Sequence, residues 1–111
     1  MKLSHSVKNG ICFVAVEGSL IAQDAIEFKT EIFALLENTN CRGLVVNCQQ
    51  LHEIRSAGLG YLAMLSLNAE KMQKGFALFQ LSESLRAIFQ TTNLDKKIQI
   101  FDTEEDALNY W

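Results

Sequence analysis

Residues Leu44 to Leu67 read LVVNCQQLHEIRSAGLGYLAMLSL, the pattern of a buried strand, a short polar turn and a helix. Leu44, Val45 and Val46 form an unbroken apolar run with β-branched members, which suits a strand covered on both faces. Gln49, Gln50, His52 and Glu53 interrupt it with polar side chains and are expected to form the turn. Ser56 stands where a helix N-cap is wanted, since its hydroxyl can accept a backbone N–H that the first turn leaves unpaired. Gly58 and Gly60 fall in that first turn. Each costs about 1 kcal/mol in a helix relative to alanine. Two of them so early imply close approach of backbone to backbone, or to a partner.

Upstream, Leu3, His5 and Val7 alternate weakly with polar neighbours, and Asn9-Gly10 is a strong hairpin signal. Ile11 to Glu17, ICFVAVE, is apolar on both faces and reads as a central strand, with the more polar first strand at an edge. Gly18-Ser19-Leu20 ends it. Ala22 to Asn38 has helical period, with Ala25, Phe28, Ile32, Leu35 and Leu36 on one stripe, and Asn38-Thr39-Asn40 closes the helix. Strand, helix and strand make a crossover unit, so the second and third strands should be parallel.

Downstream, the helix from Ser56 runs to about Gln73, with Gly75 as its C-cap. Phe76 to Leu81 is a strand. Ser82 caps a helix over Glu83 to Thr92, and Asn93 ends it in a left-handed conformation. Ile98 to Phe101 is a short strand, and Asp102-x-x-Glu105 resembles a capping box for a last helix. The fold class is α/β: a small mixed sheet of about five strands with about four helices, in the order β-β-α-β-α-β-α-β-α. The helices are expected to cover one face of the sheet.

The chain has 111 residues, so one domain over 1–111 is the expectation. A net charge of −3 argues against nucleic acid or an anionic membrane as a direct partner. Cys12, Cys41 and Cys48 are odd in number and outside any C-x-x-C spacing, which reads as small buried hydrophobes in a reducing compartment. With His5 and His52 far from ligand spacing, no metal and no cofactor is expected. Neither a signal peptide nor a membrane-length apolar run is visible, so a cytoplasmic location is the expectation.

No catalytic constellation stands out: there is no nucleophile elbow, P-loop, zinc-binding His-Glu pair or dinucleotide fingerprint. Gly58-Leu59-Gly60 lacks a third glycine, and His52 beside Ser56 lacks a third member for a triad. The helix is more informative. Leu59, Leu62, Ala63 and Ser66 can form an inward stripe, leaving Tyr61, Met64, Leu65 and Leu67 around much of the remaining circumference. A helix apolar nearly all round is either deeply buried or offers an apolar face to a partner.

These features together resemble the STAS domain, the fold of the bacterial anti-sigma-factor antagonists. That family opens its helix with Asp-Ser-Ser/Thr/Ala-Gly-Leu after an apolar strand and a polar turn. Arg55-Ser56-Ala57-Gly58-Leu59-Gly60 stand there in this chain. Gly18-Ser19-Leu20-Ile21 echo the family's earlier strand end. Ile88-Phe89, Asn93-Leu94 and Ile98 to Glu105 echo its closing elements. Arg55 replaces the motif aspartate, Ser19 and Ile21 stand where acidic residues are common, and Glu53 stands where an aromatic or apolar residue is usual.

The resemblance implies a binding module rather than an enzyme. Its partner would be an anti-sigma factor that is also a serine kinase, the phosphoacceptor Ser56, and a phosphatase would restore binding. The docking surface carried over comprises Ser19, Ile21, Arg55, Ser56, Ala57, Gly58, Leu59, Gly60, Tyr61, Met64 and Leu65. Two alternatives stand beside this reading. One is an accessory STAS subunit of a lipid or anion transport assembly, docked through the same helix without phosphorylation, with Ser56 as a plain cap. The other is a binder of small molecules or nucleotides.

Overall fold

A computed structural model describes residues 1–38 and 40–110. The chain runs β1 (Lys2–Lys8), β2 (Ile11–Leu20), α1 (Ala22–Leu36), β3 (Gly43–Ile54), α2 (Ser56–Lys71), β4 (Gly75–Phe79), α3 (Glu83–Thr91), a 3-10 turn (Leu94–Lys96), β5 (Gln99–Phe101) and α4 (Glu104–Asn109). The sheet order follows the chain, β1-β2-β3-β4-β5. β1 runs antiparallel to β2, and the pairs from β2 through β5 are parallel.

Local chemistry accounts for the connections. Asn9 and Gly10 both hold positive φ, 54° and 78°, as a two-residue hairpin loop matched to strand twist requires. β1 is the edge and β2 lies inside, as their polarity suggested. Ser82 caps α3 by accepting the Leu85 N–H at 3.2 Å, and Asn93 takes the left-handed conformation at φ 61°.

Even-numbered residues of β2 and β3, among them Cys12, Val14, Val16, Leu44, Val46 and Cys48, face a layer built from α1, α2 and α3. Phe28, Ile32, Leu36, Leu62, Leu65, Leu85 and Phe89 fill that layer. Ile11, Val45, Ala77 and Phe79 face the other way and pack on Ala107 and Leu108 of α4. Helices therefore cover both faces, not one. The short α4 is what makes the continuous apolar runs of β3 and β4 necessary. All three cysteines are free and buried, Cys12 and Cys48 within apolar strands as expected and Cys41 in the connection ahead of β3.

Several boundaries differ from the expectation. β3 does not stop at Cys48: Gln49 to Ile54 continue as strand, with Leu51 and Ile54 buried and Gln49, Gln50 and His52 exposed. Buried Cys48, Leu51 and Ile54 recur every third residue because the ladder to β2 shifts register twice, each time with an extra residue in β3; the segment is irregular strand, not a turn. α1 ends at Leu36, two residues early, where Lys74 Nζ donates to the carbonyls of Leu36 and Asn38. Thr39, expected in the closing turn, lies outside the described residues. Gly75 begins β4 instead of capping α2; Gln73, at φ 60°, makes the left-handed turn. The cap of α4 is Thr103, whose Oγ1 accepts the Asp106 N–H at 3.1 Å, so Asp102 lies one residue outside the helix cap.

Candidate functional site

The start of α2 is held against the end of β2. β3 pairs with β2 through two register irregularities, after which Ser19 stands opposite Glu53 and Leu20 opposite Ile54. The Arg55 N–H donates to the Leu20 carbonyl at 3.3 Å. Ser19, Ile21, Arg55 and Ser56 are thus drawn to one end of the sheet, although more than thirty positions separate them in the chain.

Gly58 is what allows this approach. A Cβ there would meet the Leu20 carbonyl oxygen at 2.9 Å and Ile54 Cγ2 at 3.0 Å. Gly60 is different: a Cβ there would meet nothing within 4 Å. One glycine fits the backbone-approach reading and the other lies on open surface.

Ser56 is not the N-cap. Arg55 occupies that position with extended backbone, φ −103° and ψ 175°, and no side chain caps the helix. The first turn closes with the Leu59 N–H donating to the Arg55 carbonyl at 3.0 Å. Ser56 is therefore the first helical residue. It is exposed, and the capping role that would have occupied its hydroxyl is unfilled. The N–H groups of the first turn have no partner within the helix and carry the positive end of its dipole. Arg55 Nε lies 3.0 Å from Glu53 Oε2, and both side chains are well exposed. Such a surface pair contributes little stability and reorganises readily.

Further along α2, the inward stripe is Gly58, Leu62, Leu65 and Ala69. It is rotated from the expected Leu59, Leu62, Ala63 and Ser66. Leu65, expected at the docking surface, has 0% exposure and belongs to the core; Gly58 is buried as well. Neither can touch a partner directly. Leu59 is half-buried. Tyr61, also half-buried, receives Lys29 of α1 over its ring at 4.9 Å. Ser66 donates to the Lys97 carbonyl at 3.1 Å, which ties α2 to the turn before β5.

What remains outward is a stripe of Ser56, Gly60, Met64 and Leu67, spaced as one face of a helix. Met64 is 38% exposed and Leu67 50%. The sequence reading left Leu67 out of the candidate surface; its position eleven residues beyond Ser56 places it on the same face. Among the described residues no group of His, Cys, Asp and Glu could hold a metal ion, and no helix is long and apolar enough to cross a membrane.

The STAS domain family model matches residues 2–107, and the chain belongs to that family. Among solved structures it is similar to a Thermotoga maritima protein assigned as an anti-sigma factor antagonist, at 20% identity and a TM-score of 0.89. That match covers 97% of this chain and 92% of the other. It is similar to an anti-sigma factor antagonist from Mycobacterium paratuberculosis at 24% identity and a TM-score of 0.86, covering 98% and 92%. It is also similar to the phosphorylated form of the Bacillus cell fate determinant SpoIIAA at 18% identity and a TM-score of 0.74, covering 98% of each chain.

Proposed function

We propose that this protein is a partner-switching regulator of the anti-sigma-factor-antagonist type. It acts in the cytoplasm by binding rather than by catalysis, as one domain. Its partner is an anti-sigma factor with serine-kinase activity, and its docking face is the outer stripe of α2 with Ser19, Ile21, Arg55, Ala57 and the exposed edges of Leu59 and Tyr61. Phosphorylation of Ser56 releases the partner, and a phosphatase restores binding.

The observation that carries this reading is Ser56 itself: exposed, first in its helix, unused as a cap, and aligned with exposed Gly60, Met64 and Leu67. A phosphate there adds about −1.5 to −2 charges. The helix accommodates it, because the unpaired N–H groups and the dipole favour an anion at that end. Arg55 can exchange Glu53 for the phosphate, since charge-assisted pairs of guanidinium with phosphate are strong. The fold is thus preserved while an apolar docking face gains a dense, hydrated charge that a seated partner must desolvate. The phosphorylated form of the SpoIIAA relative supports a phosphorylatable member of this fold.

Binding of the kinase-type partner to wild-type protein, Ser56→Asp and Leu67→Asp tests the reading. Both variants should weaken binding at least about tenfold, equivalent to 1.4 kcal/mol, with unchanged far-UV circular dichroism. Affinity unchanged in both contradicts it and favours permanent docking elsewhere on the molecule.

A further inference from the structure

We propose that β1 is the docking edge for a second copy of this chain, paired antiparallel across a two-fold axis at His5. The strand reads KLSHSVK. It is close to a palindrome: reversed against itself, lysine meets lysine, Leu3 meets Val7, Ser4 meets Ser6, and His5 meets its own counterpart.

The backbone is in phase with that pattern. β1 lies at the sheet edge, with β2 on one side only. In a two-residue hairpin the flanking residues, here Lys8 and Ile11, exchange both hydrogen bonds. Alternation along the β1–β2 register then commits the backbone groups of Lys8, Ser6, Ser4 and Lys2 to β2, and turns those of Val7, His5 and Leu3 outward. These outward residues are the ones a reversed copy pairs: Leu3 with the partner's Val7, His5 with the partner's His5, and Val7 with the partner's Leu3. Three such pairs make about six hydrogen bonds, two each. A slip of one residue would set committed groups against free ones and invert the faces.

The side chains agree. Leu3 and His5 line a groove of about 370 Å³ on the α1 side, together with Val14, Glu31, Ala34 and Leu35. Val7 is 49% exposed. Pairing sets Leu3 and Val7 side by side on this face and small serines side by side on the other, both favourable cross-strand combinations. Edge strands that resist pairing carry charge along their length; here residues 3–7 contain no Lys, Arg, Asp or Glu. The lysines sit only at the ends; there Lys2 stands opposite the second copy's Lys8, a like-charge contact that weakens the pairing and that Glu17, opposite Lys2 across the ladder, partly offsets. One strand and one helix flank make a small interface, so the dimer is reversible.

Sedimentation velocity over a concentration series tests the proposal on the full chain. Wild-type protein should show a concentration-dependent dimer. His5→Pro removes only an outward N–H and is compatible with an edge strand; Val7→Lys sets a charge opposite the partner's Leu3. Both should raise the dimer dissociation constant about tenfold or more while circular dichroism stays unchanged. His5→Cys should form a disulfide-linked dimer on mild oxidation, because paired Cα atoms about 5.5 Å apart suit a disulfide and the native thiols are buried. A wild type that stays monomeric to millimolar concentration, or a dimer that neither Val7→Lys nor His5→Pro weakens, overturns it.

Discussion

Gly58 and Gly60 stand two residues apart in the same helical turn and obey different constraints. At Gly58 a methyl group would press on the Leu20 carbonyl at 2.9 Å, a backbone atom that cannot swing aside. Gly58→Ala should therefore cost about 1–3 kcal/mol through forced displacement of α2 from β2. Gly60→Ala meets open space and should stabilise by up to about 1 kcal/mol, the helix-propensity gain alone. Urea unfolding of both variants checks the pair. The sequence shows two glycines with equal claims to a close approach; only the crossing of α2 over the end of β2 separates them. Ser56 teaches the same lesson. Its type invites a cap reading, yet the cap position is set by where the backbone leaves the extended region, and that falls at Arg55. Cys48 adds a pH signature. Burial, slightly offset by a backbone hydrogen bond from Phe79, pushes its thiol from 9.0 to about 12. Between those values the unfolded chain releases a proton that the native state keeps. This contribution to stability is then complete below pH 9.0 and falls as pH rises toward about 12. Cys48→Ala should show a shallower alkaline decline in the urea midpoint than wild type.

The rotation of α2 decides which of its many apolar residues hold the fold and which are free to bind. Leu65 is wholly buried and Leu67 half exposed. Leu65→Ala should cost about 2–5 kcal/mol as a core truncation. Leu67→Ser should stay within about 0.5 kcal/mol of wild type in stability while weakening partner binding. Thermal unfolding read beside a binding titration separates the two roles. The sequence cannot set this rotation, because a helix apolar nearly all round offers several equivalent stripes. The second half of β3 is hidden in the sequence for a related reason. Gln49, Gln50, His52 and Glu53 look like a turn because they follow the unbroken apolar run Leu44 to Val46. Leu51 and Ile54 are three residues apart, a spacing no regular strand explains; only the register shifts against β2, which continues alongside to Leu20, bring both into one core. Where signals are local the elements were legible: the Asn9-Gly10 hairpin, the Ser82 cap and the left-handed Asn93 all lie where their chemistry places them.

For the molecule as a whole, the order of elements is legible from hydrophobic period with local turn and cap signals, the parallel pairing of β2 and β3 from the strand–helix–strand connection, and the STAS fold from the resemblance of the motifs in register. The second layer did not. α4 is six residues long, too short for periodicity to say which face of the sheet it covers. That placement leaves α1, α2 and α3 together on one side, with the outer stripe of α2 open beside the Ser56 hydroxyl. The account as a whole rests on that hydroxyl being the point where charge enters a docking face. Intact-mass spectrometry of the protein, incubated with ATP and its kinase-type partner and followed by site mapping, tests it most directly. One phosphate on Ser56, accompanied by loss of the complex, is the predicted result. No phosphate, or a phosphate on another serine or threonine with Ser56 untouched, would contradict it.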